Sequence, residues 1–409
     1  MAGIGMIVTG PIGSVSDVLS LDAMVIQHAG RHFLQIPGPT NVPDQVLAAM
    51  SRPTIDHRGP EFAALTHDVL ARLGPVFGTD RPVVIFPASG TGAWEAALVN
   101  TLSGGDRVLA FETGHFATLW QRMAAKLGLV VDFVSGDWRH GVDPDVVRAM
   151  LADDAEHEIR AVCVVHNETS TGVVSPVAAI RRAIDAVGHP ALLLVDTVSS
   201  LASTDYRHDE WGVDVTVGAS QKGLMLPPGL GFNAVSDKAL RASDAAGLPR
   251  SYWNWQDVIK ANAAGSFPYT PSTNLMFGLA VALDLLHAEG LPAVFARHDR
   301  LAAATRAAVH GWGLEVLCAD EKAYSASVTA VLLADGQDAD TVRDVALRRY
   351  DMSLGVGLGR FAGHVFRIGH LGHLNELTLI GALGGVQLAL RAAGVPVADG
   401  MAAALEVLA

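Results

Sequence analysis

The chain has little of what would build a cross-linked, membrane-spanning or nucleic-acid-binding protein. Cysteine is scarce: Cys163 and Cys318 are the only two in 409 residues, too few for a disulfide framework or a thiolate metal site. No metal is therefore expected, and a reducing, cytoplasmic location is. Basic residues are outnumbered, with 29 Lys and Arg against 42 Asp and Glu and a net charge of −13. That balance lacks the positive footprint that phosphate backbones demand, so nucleic acid is not an expected partner. No apolar run approaches the roughly 20 residues of a membrane span, and no membrane association is expected. Residues 1–30 contain no Lys or Arg, which speaks against a secretory or Arg-rich transit leader. The stretch 1–32 reads either as an arm packing on a partner subunit or as an upstream extension, with Met24 as the natural start.

What is present is a large apolar complement. Half the residues are hydrophobic, enough for an extensive core shared by two domains. From about residue 83, short β-branched runs alternate with Ala- and Leu-rich amphipathic stretches, the pattern of strands joined by crossover helices. The spacing predicts strands at Val83–Ala88, Arg107–Glu112, Val130–Val134, Ala161–His166, Ala191–Asp196, Asp214–Gly218 and Gly231–Val235. Several lack alternation, as strands covered on both faces do. An α/β domain with a mostly parallel seven-stranded sheet follows, spanning 33–285. Beyond it, a helix through Leu301–Trp312, β-like runs at Ser327–Leu333 and Val365–Leu371, and a helix over Asn375–Ala393 predict a smaller C-terminal α+β domain, 286–409.

Parallel sheets bind ligands at the carboxyl ends of their strands, so chemistry is sought there. After the first strand, Ser89-Gly90-Thr91-Gly92 opens a helix. Free N–H groups and two hydroxyls at that point suit a phosphate, and they equally suit a plain helix cap. The fifth strand ends in Asp196, which reads as a carboxylate for a pyridine nitrogen or as a turn acid. Ser220-Gln221-Lys222-Gly223 follows the next strand and precedes Pro227-Pro228-Gly229. A lysine so placed is poorly sited for a solvated charge, and when partly desolvated it can attack an aldehyde to form a Schiff base. Each motif alone is ambiguous. Their chain order is the order one coenzyme would need.

With these motifs the chain resembles the class V aminotransferases of fold type I, in their serine–glyoxylate and alanine–glyoxylate branch, over roughly residues 33–396. Matching stretches include Ile36-Pro37-Gly38-Pro39-Thr40, Ser89-Gly90-Thr91, His166-Asn167-Glu168-Thr169-Ser170-Thr171-Gly172, Val195-Asp196-Thr197-Val198-Ser199-Ser200, Ser220-Gln221-Lys222-Gly223, Tyr269-Thr270-Pro271-Ser272 and Phe366-Arg367-Ile368-Gly369-His370-Leu371-Gly372.

The resemblance implies pyridoxal 5'-phosphate as coenzyme and assigns roles position by position. Lys222 matches the lysine that attaches the coenzyme and shuttles the substrate proton. Asp196 matches the partner of the ring nitrogen. Ser89, Gly90, Thr91 and Gln221 match phosphate ligands, with Thr91 standing where some relatives have His. Phe116 matches the aromatic stacked on the ring, often tryptophan, and an ordinary core aromatic is its other reading. Thr169 falls where the family bonds the coenzyme's phenolic oxygen. Tyr269 and Thr270 resemble residues reaching the neighbouring subunit's phosphate, with Phe267 an alternative for the aromatic. Arg367 matches the arginine that grips the substrate α-carboxylate, against the alternative of a structural salt bridge. Gly38 and Pro39 imply a turn beside that carboxylate, and His57 and Arg58 lie in the dimer-spanning part of the site.

The implied reaction is transamination between an L-amino acid, serine first, and glyoxylate, in a homodimer or higher homo-oligomer. Alanine or aspartate are alternative donors. A dicarboxylate would want a second cation, which His57, Arg58, His370 or His373 could supply. Two other classes are weighed. A cysteine desulfurase needs a reactive cysteine on a mobile loop, whereas Cys163 and Cys318 lie in apolar segments. A nicotinamide-dependent oxidoreductase needs a G-x-G-x-x-G after the first strand, which is missing.

Overall fold

The computed structural model describes residues 29–409, so most of the expected arm at 1–32 lies outside the described residues. Its strands in chain order are β1 (Phe33–Gln35), β2 (Val83–Phe86), β3 (Arg107–Phe111), β4 (Val130–Val134), β5 (Ile159–Val165), β6 (Asn167–Glu168) and β7 (Val173–Val174), followed by β8 (Leu192–Asp196), β9 (Val215–Ala219) and β10 (Gly231–Val235). The C-terminal part adds β11 (Glu315–Val316), β12 (Val328–Leu332), β13 (Met352–Val356) and β14 (Val365–Gly369).

Seven strands form the main sheet in the order β2-β10-β9-β8-β5-β3-β4. All run parallel except β10, which is antiparallel to both neighbours. The central strands are apolar because helices cover both faces: every residue of β8 and β9 is buried, whereas edge strand β4 is half exposed. The alternation of strand and helix thus yields the α/β architecture expected, of fold type I. One consequence decides the chemistry. The ends of β2, β5, β8 and β9 lie on one edge, bringing Ser89, the β6–β7 hairpin, Asp196 and Lys222 toward one another.

A second sheet has the order β1-β13-β14-β12-β11. It packs on the helices Leu291–Gly311, Ala339–Tyr350 and Glu376–Ala392 around a separate apolar cluster that includes Leu301, Trp312, Phe366 and Leu383. Its first strand was not foreseen. Phe33–Gln35 pairs in parallel with Met352–Leu354, so this segment belongs to the C-terminal sheet, and the chain leaves it toward the main sheet through Pro37-Gly38-Pro39-Thr40. That crossing delivers backbone to the lysine. Among the described residues no single helix is long and apolar enough to cross a membrane.

Candidate active site

The turn after β2 is the first of the main-sheet strand ends to contribute. Ser89 occupies the N-cap position of the helix Gly90–Thr101 with extended backbone and makes no side-chain cap bond. A plain cap is therefore not what the serine does here, and its exposed hydroxyl is available to a ligand. Gly90 lets the turn close on the sheet, since a Cβ there would lie 2.6 Å from Val198 Cγ2. Thr91 is exposed at the same helix start. Gln221 Oε1 is buried without a hydrogen-bond partner, an acceptor still to be satisfied.

Asp196 and Lys222 lie deeper. Asp196 is buried, and Oδ1 accepts the Val198 N–H at 2.7 Å. Among the described residues no cation reaches it at ion-pair distance. Burial, with some repulsion from Glu168, pushes its carboxyl up to about 7. Lys222 is also buried, and its Nζ donates to the Pro37 carbonyl. Burial, aided by the Arg367 charge and opposed by Asp196, depresses its ammonium to about 7. At neutral pH a large fraction of Lys222 is therefore free amine, the form that acts as nucleophile or base. The crossing segment is fastened to this lysine: Thr40 N donates to Gln221 O and Thr40 Oγ1 to Lys222 O, each at 3.2 Å. Gly38, at φ +92°, passes so close that a Cβ would lie 2.4 Å from Lys222 Cδ. Gly38 thus sits against the lysine, and Pro39 joins it to the fastened Thr40.

Arg367 projects from β14. Its Nε donates to Val356 O and its Nη1 to Thr169 O, both at 2.8 Å, and no carboxylate among the described residues pairs with it. It is no structural salt bridge. Burial lowers its pKa to about 10, with Glu168 opposing, so the guanidinium stays charged and awaits an anion. Thr169 is buried, and its hydroxyl donates to Ser199 Oγ at 2.7 Å. With its proton so engaged, Thr169 offers a ligand its lone pairs, whereas the resemblance implies a bond to a phenolic oxygen. Phe116 is partly buried and meets Trp94 edge-on, at 6.5 Å between ring centres.

Among the described residues, none of the remaining expected positions is hydrogen-bonded to Asp196, Lys222 or Arg367. Tyr269 stacks on Tyr252 at 4.6 Å, with its hydroxyl 3.4 Å from Ile85 O, and Phe267 is buried against Phe62. Thr270 and Arg58 are exposed, and His57 is half-buried with Nε2 unpartnered. His370 does not serve as a second cation. It is fully buried, its Nδ1 faces Ala326 O and its Nε2 faces Thr329 Oγ1, each at 2.9 Å, and burial holds its pKa near 3. His373 is exposed. Cys163 is buried in β5 with its thiol pushed up by burial, the opposite of a reactive thiolate. Sequence reasoning missed Glu168, a fully buried acid in β6. It gave no signal, because an acid in a polar run looks solvated until the fold encloses it.

A seven-stranded α/β sheet with an unpaired acid and a desolvated lysine at its edge defines the class as that of type I coenzyme-dependent aminotransferases. Its solved relatives include the pyridoxamine–pyruvate aminotransferase of Mesorhizobium loti, which superposes with a TM-score of 0.87 at 32% identity over 93% of this chain and 98% of that one. The family model for class-V aminotransferases matches residues 32–357, and the chain belongs to that family, whose members depend on pyridoxal phosphate. The serine–glyoxylate aminotransferase of Methylorubrum extorquens is 48% identical over 91% of this chain and 94% of its own length. The L-aspartate–glyoxylate aminotransferase of Paracoccus denitrificans is 46% identical over the same shares. The protein is an aminotransferase.

Proposed function

We propose that the protein transfers the amino group of L-serine to glyoxylate, giving hydroxypyruvate and glycine, with pyridoxal 5'-phosphate held at the carboxyl edge of the main sheet. The observation that carries this reading is a pair of unmet charges flanking a desolvated lysine: among the described residues Asp196 has no cation and Arg367 no carboxylate. A protonated pyridine nitrogen answers the first and a substrate α-carboxylate the second. The residues fit the coenzyme. Ser89, Gly90, Thr91 and Gln221 would hold its phosphate, Phe116 would cover one ring face, and Thr169 would face the phenolic oxygen.

When bound, the coenzyme supplies a ring that takes up electrons from the substrate Cα. Asp196 would hold a proton on the ring nitrogen, because a carboxylate in a low-dielectric site favours a cation beside it. Lys222 would hold the coenzyme covalently and, once released as free amine, would be placed to accept the proton from the substrate Cα and to donate it back. Arg367 orients the substrate by a two-oxygen grip on its carboxylate, which fixes the Cα–H bond relative to Lys222.

Serine as donor is supported by the similarity to the Methylorubrum enzyme. The similarity to the Paracoccus enzyme supports a second reading, with aspartate as donor and Arg58 or His57 as the additional cation. Alanine needs no new group. We further assign residues 33–285 and 286–409 to the large and small domains, except that Phe33–Gln35 joins the small domain's sheet, and the whole to a cytoplasmic homodimer. In that dimer Tyr269 and Thr270 reach the neighbouring phosphate, which accords with the exposure of Thr270. Incubating coenzyme-loaded protein with glyoxylate and each common amino acid, and quantifying glycine, tests the donor. Serine should give the highest kcat/KM, and a tenfold preference for any other donor refutes it.

A further inference from the structure

Glu168 is the least explained charge in the molecule. Its side chain is fully buried in the β6–β7 hairpin, yet among the described residues it pairs with no cation. Its carboxylate instead gathers four neutral donors. Oε1 accepts Phe116 N at 3.3 Å, Ser170 N at 3.1 Å and Ser170 Oγ at 2.6 Å, and Oε2 accepts Ala117 N at 3.0 Å. Ser170 Oγ in turn accepts His115 N at 3.0 Å. These are the first N–H groups of the helix His115–Lys126, which has neither a side-chain cap from Gly114 nor an acid in its own first turn. Glu168 therefore caps that helix from another strand, with the charge sign its dipole favours. Gly114 makes the approach possible, since a Cβ there would lie 2.4 Å from Glu168 Cγ.

Two neighbouring residues of the hairpin thus hold both sides of the site. Glu168 holds the backbone of Phe116, and the Thr169 carbonyl holds Arg367. We propose that Glu168 is a positioning residue: its carboxylate fixes Phe116 against the coenzyme face, so that the Glu168-Thr169 pair sets the spacing between the stacking ring and the guanidinium that grips substrate. The inference rests on the aminotransferase reading above. It differs from a general folding role in acting through Phe116.

The test uses Glu168→Gln, which keeps the side-chain size but sets an amide N–H against a backbone N–H. In the coenzyme-free protein, hydrogen exchange of amides 115–117 should accelerate about tenfold, as expected for loss of a helix cap. Coenzyme Kd should rise and kcat with serine should fall, each by about tenfold or more, as misplacement near reacting atoms does. KM for serine should change less than about threefold, because the Thr169–Arg367 bond is untouched. In a Phe116→Leu background the further loss in kcat should shrink below about threefold, the non-additivity of residues acting as one unit. Full additivity, or unchanged exchange at 115–117, overturns the proposal. If Glu168→Gln does not fold, Ser170→Ala removes the His115 acceptor and one Glu168 donor, and must show the same pattern in weaker form. Borohydride labelling reports on the underlying reading separately: wild type without label at Lys222 overturns both, whereas label with unchanged exchange in the variant overturns this inference alone.

Discussion

Asp196 and Lys222 are displaced toward each other by the same cause. Burial lifts the carboxyl from its ordinary value near 3.8 to about 7 and lowers the ammonium from 10.5 to about 7. For Asp196 the folded value lies above the unfolded one, so the folded protein keeps a proton that the unfolded chain has lost between about pH 4 and 7. Its contribution to stability therefore falls as pH rises through that window. Coenzyme-free Asp196→Asn should melt above wild type at pH 8, with the gap closing toward pH 4. Calorimetry at both values checks this, and a gap independent of pH contradicts it. The same substitution removes the charge that serves the ring nitrogen. The rate constant of the half-reaction with serine should drop about a hundredfold, by the magnitude of other lost electrostatic contacts to a reacting centre. Stopped-flow absorbance measures it, and a rate within threefold of wild type would remove Asp196 from its role.

At the scale of elements, the phosphate turn depends on how closely the helix Gly90–Thr101 approaches the strand ends. A Cβ at residue 90 must push against Val198, whereas Thr91 is exposed and its truncation disturbs no packing. Gly90→Ala should raise coenzyme Kd about tenfold, or about 1.4 kcal/mol, and Thr91→Ala about threefold. Absorbance titration gives both, and the reverse order would mean that the hydroxyl, not the close approach, builds the site. Most of this architecture is legible in sequence. Runs such as Leu192-Leu193-Leu194-Val195 are apolar at every position because both faces are covered, so the strands of the main sheet were placed to within a few residues. Strands β1 and β13 were not. Phe33–Gln35 is only three residues long, and Met352-Ser353-Leu354-Gly355-Val356 is broken by serine and glycine. Their pairing spans more than 300 positions, a separation over which no local pattern reports. Within the site, Lys222, Asp196 and Arg367 could be found because their residue types are unusual where they stand. Glu168 could not, because two of its four donors, Phe116 N and Ala117 N, come from a helix more than 50 positions away.

For the whole molecule, each site is complete only in the proposed dimer, in which Thr270 would serve the neighbouring phosphate. Inactive Lys222→Ala and a disabled Thr270 variant, once mixed and exchanged, should regain up to about half of wild-type activity per hybrid dimer, because one site collects both lesions and the other is intact. Lys222→Ala with Arg367→Ala should regain none, since those residues share a chain. Absence of recovery in the first pair, despite proven subunit exchange, would place Thr270 in its own chain's site. The central claim remains the lysine, on which the burial, the contact with Pro37 and the two unmet charges converge. Reducing the coenzyme-loaded protein with borohydride and mapping the labelled peptide tests it most directly. The account predicts one coenzyme per chain fixed at Lys222, and a label on any other lysine, or none, would contradict it.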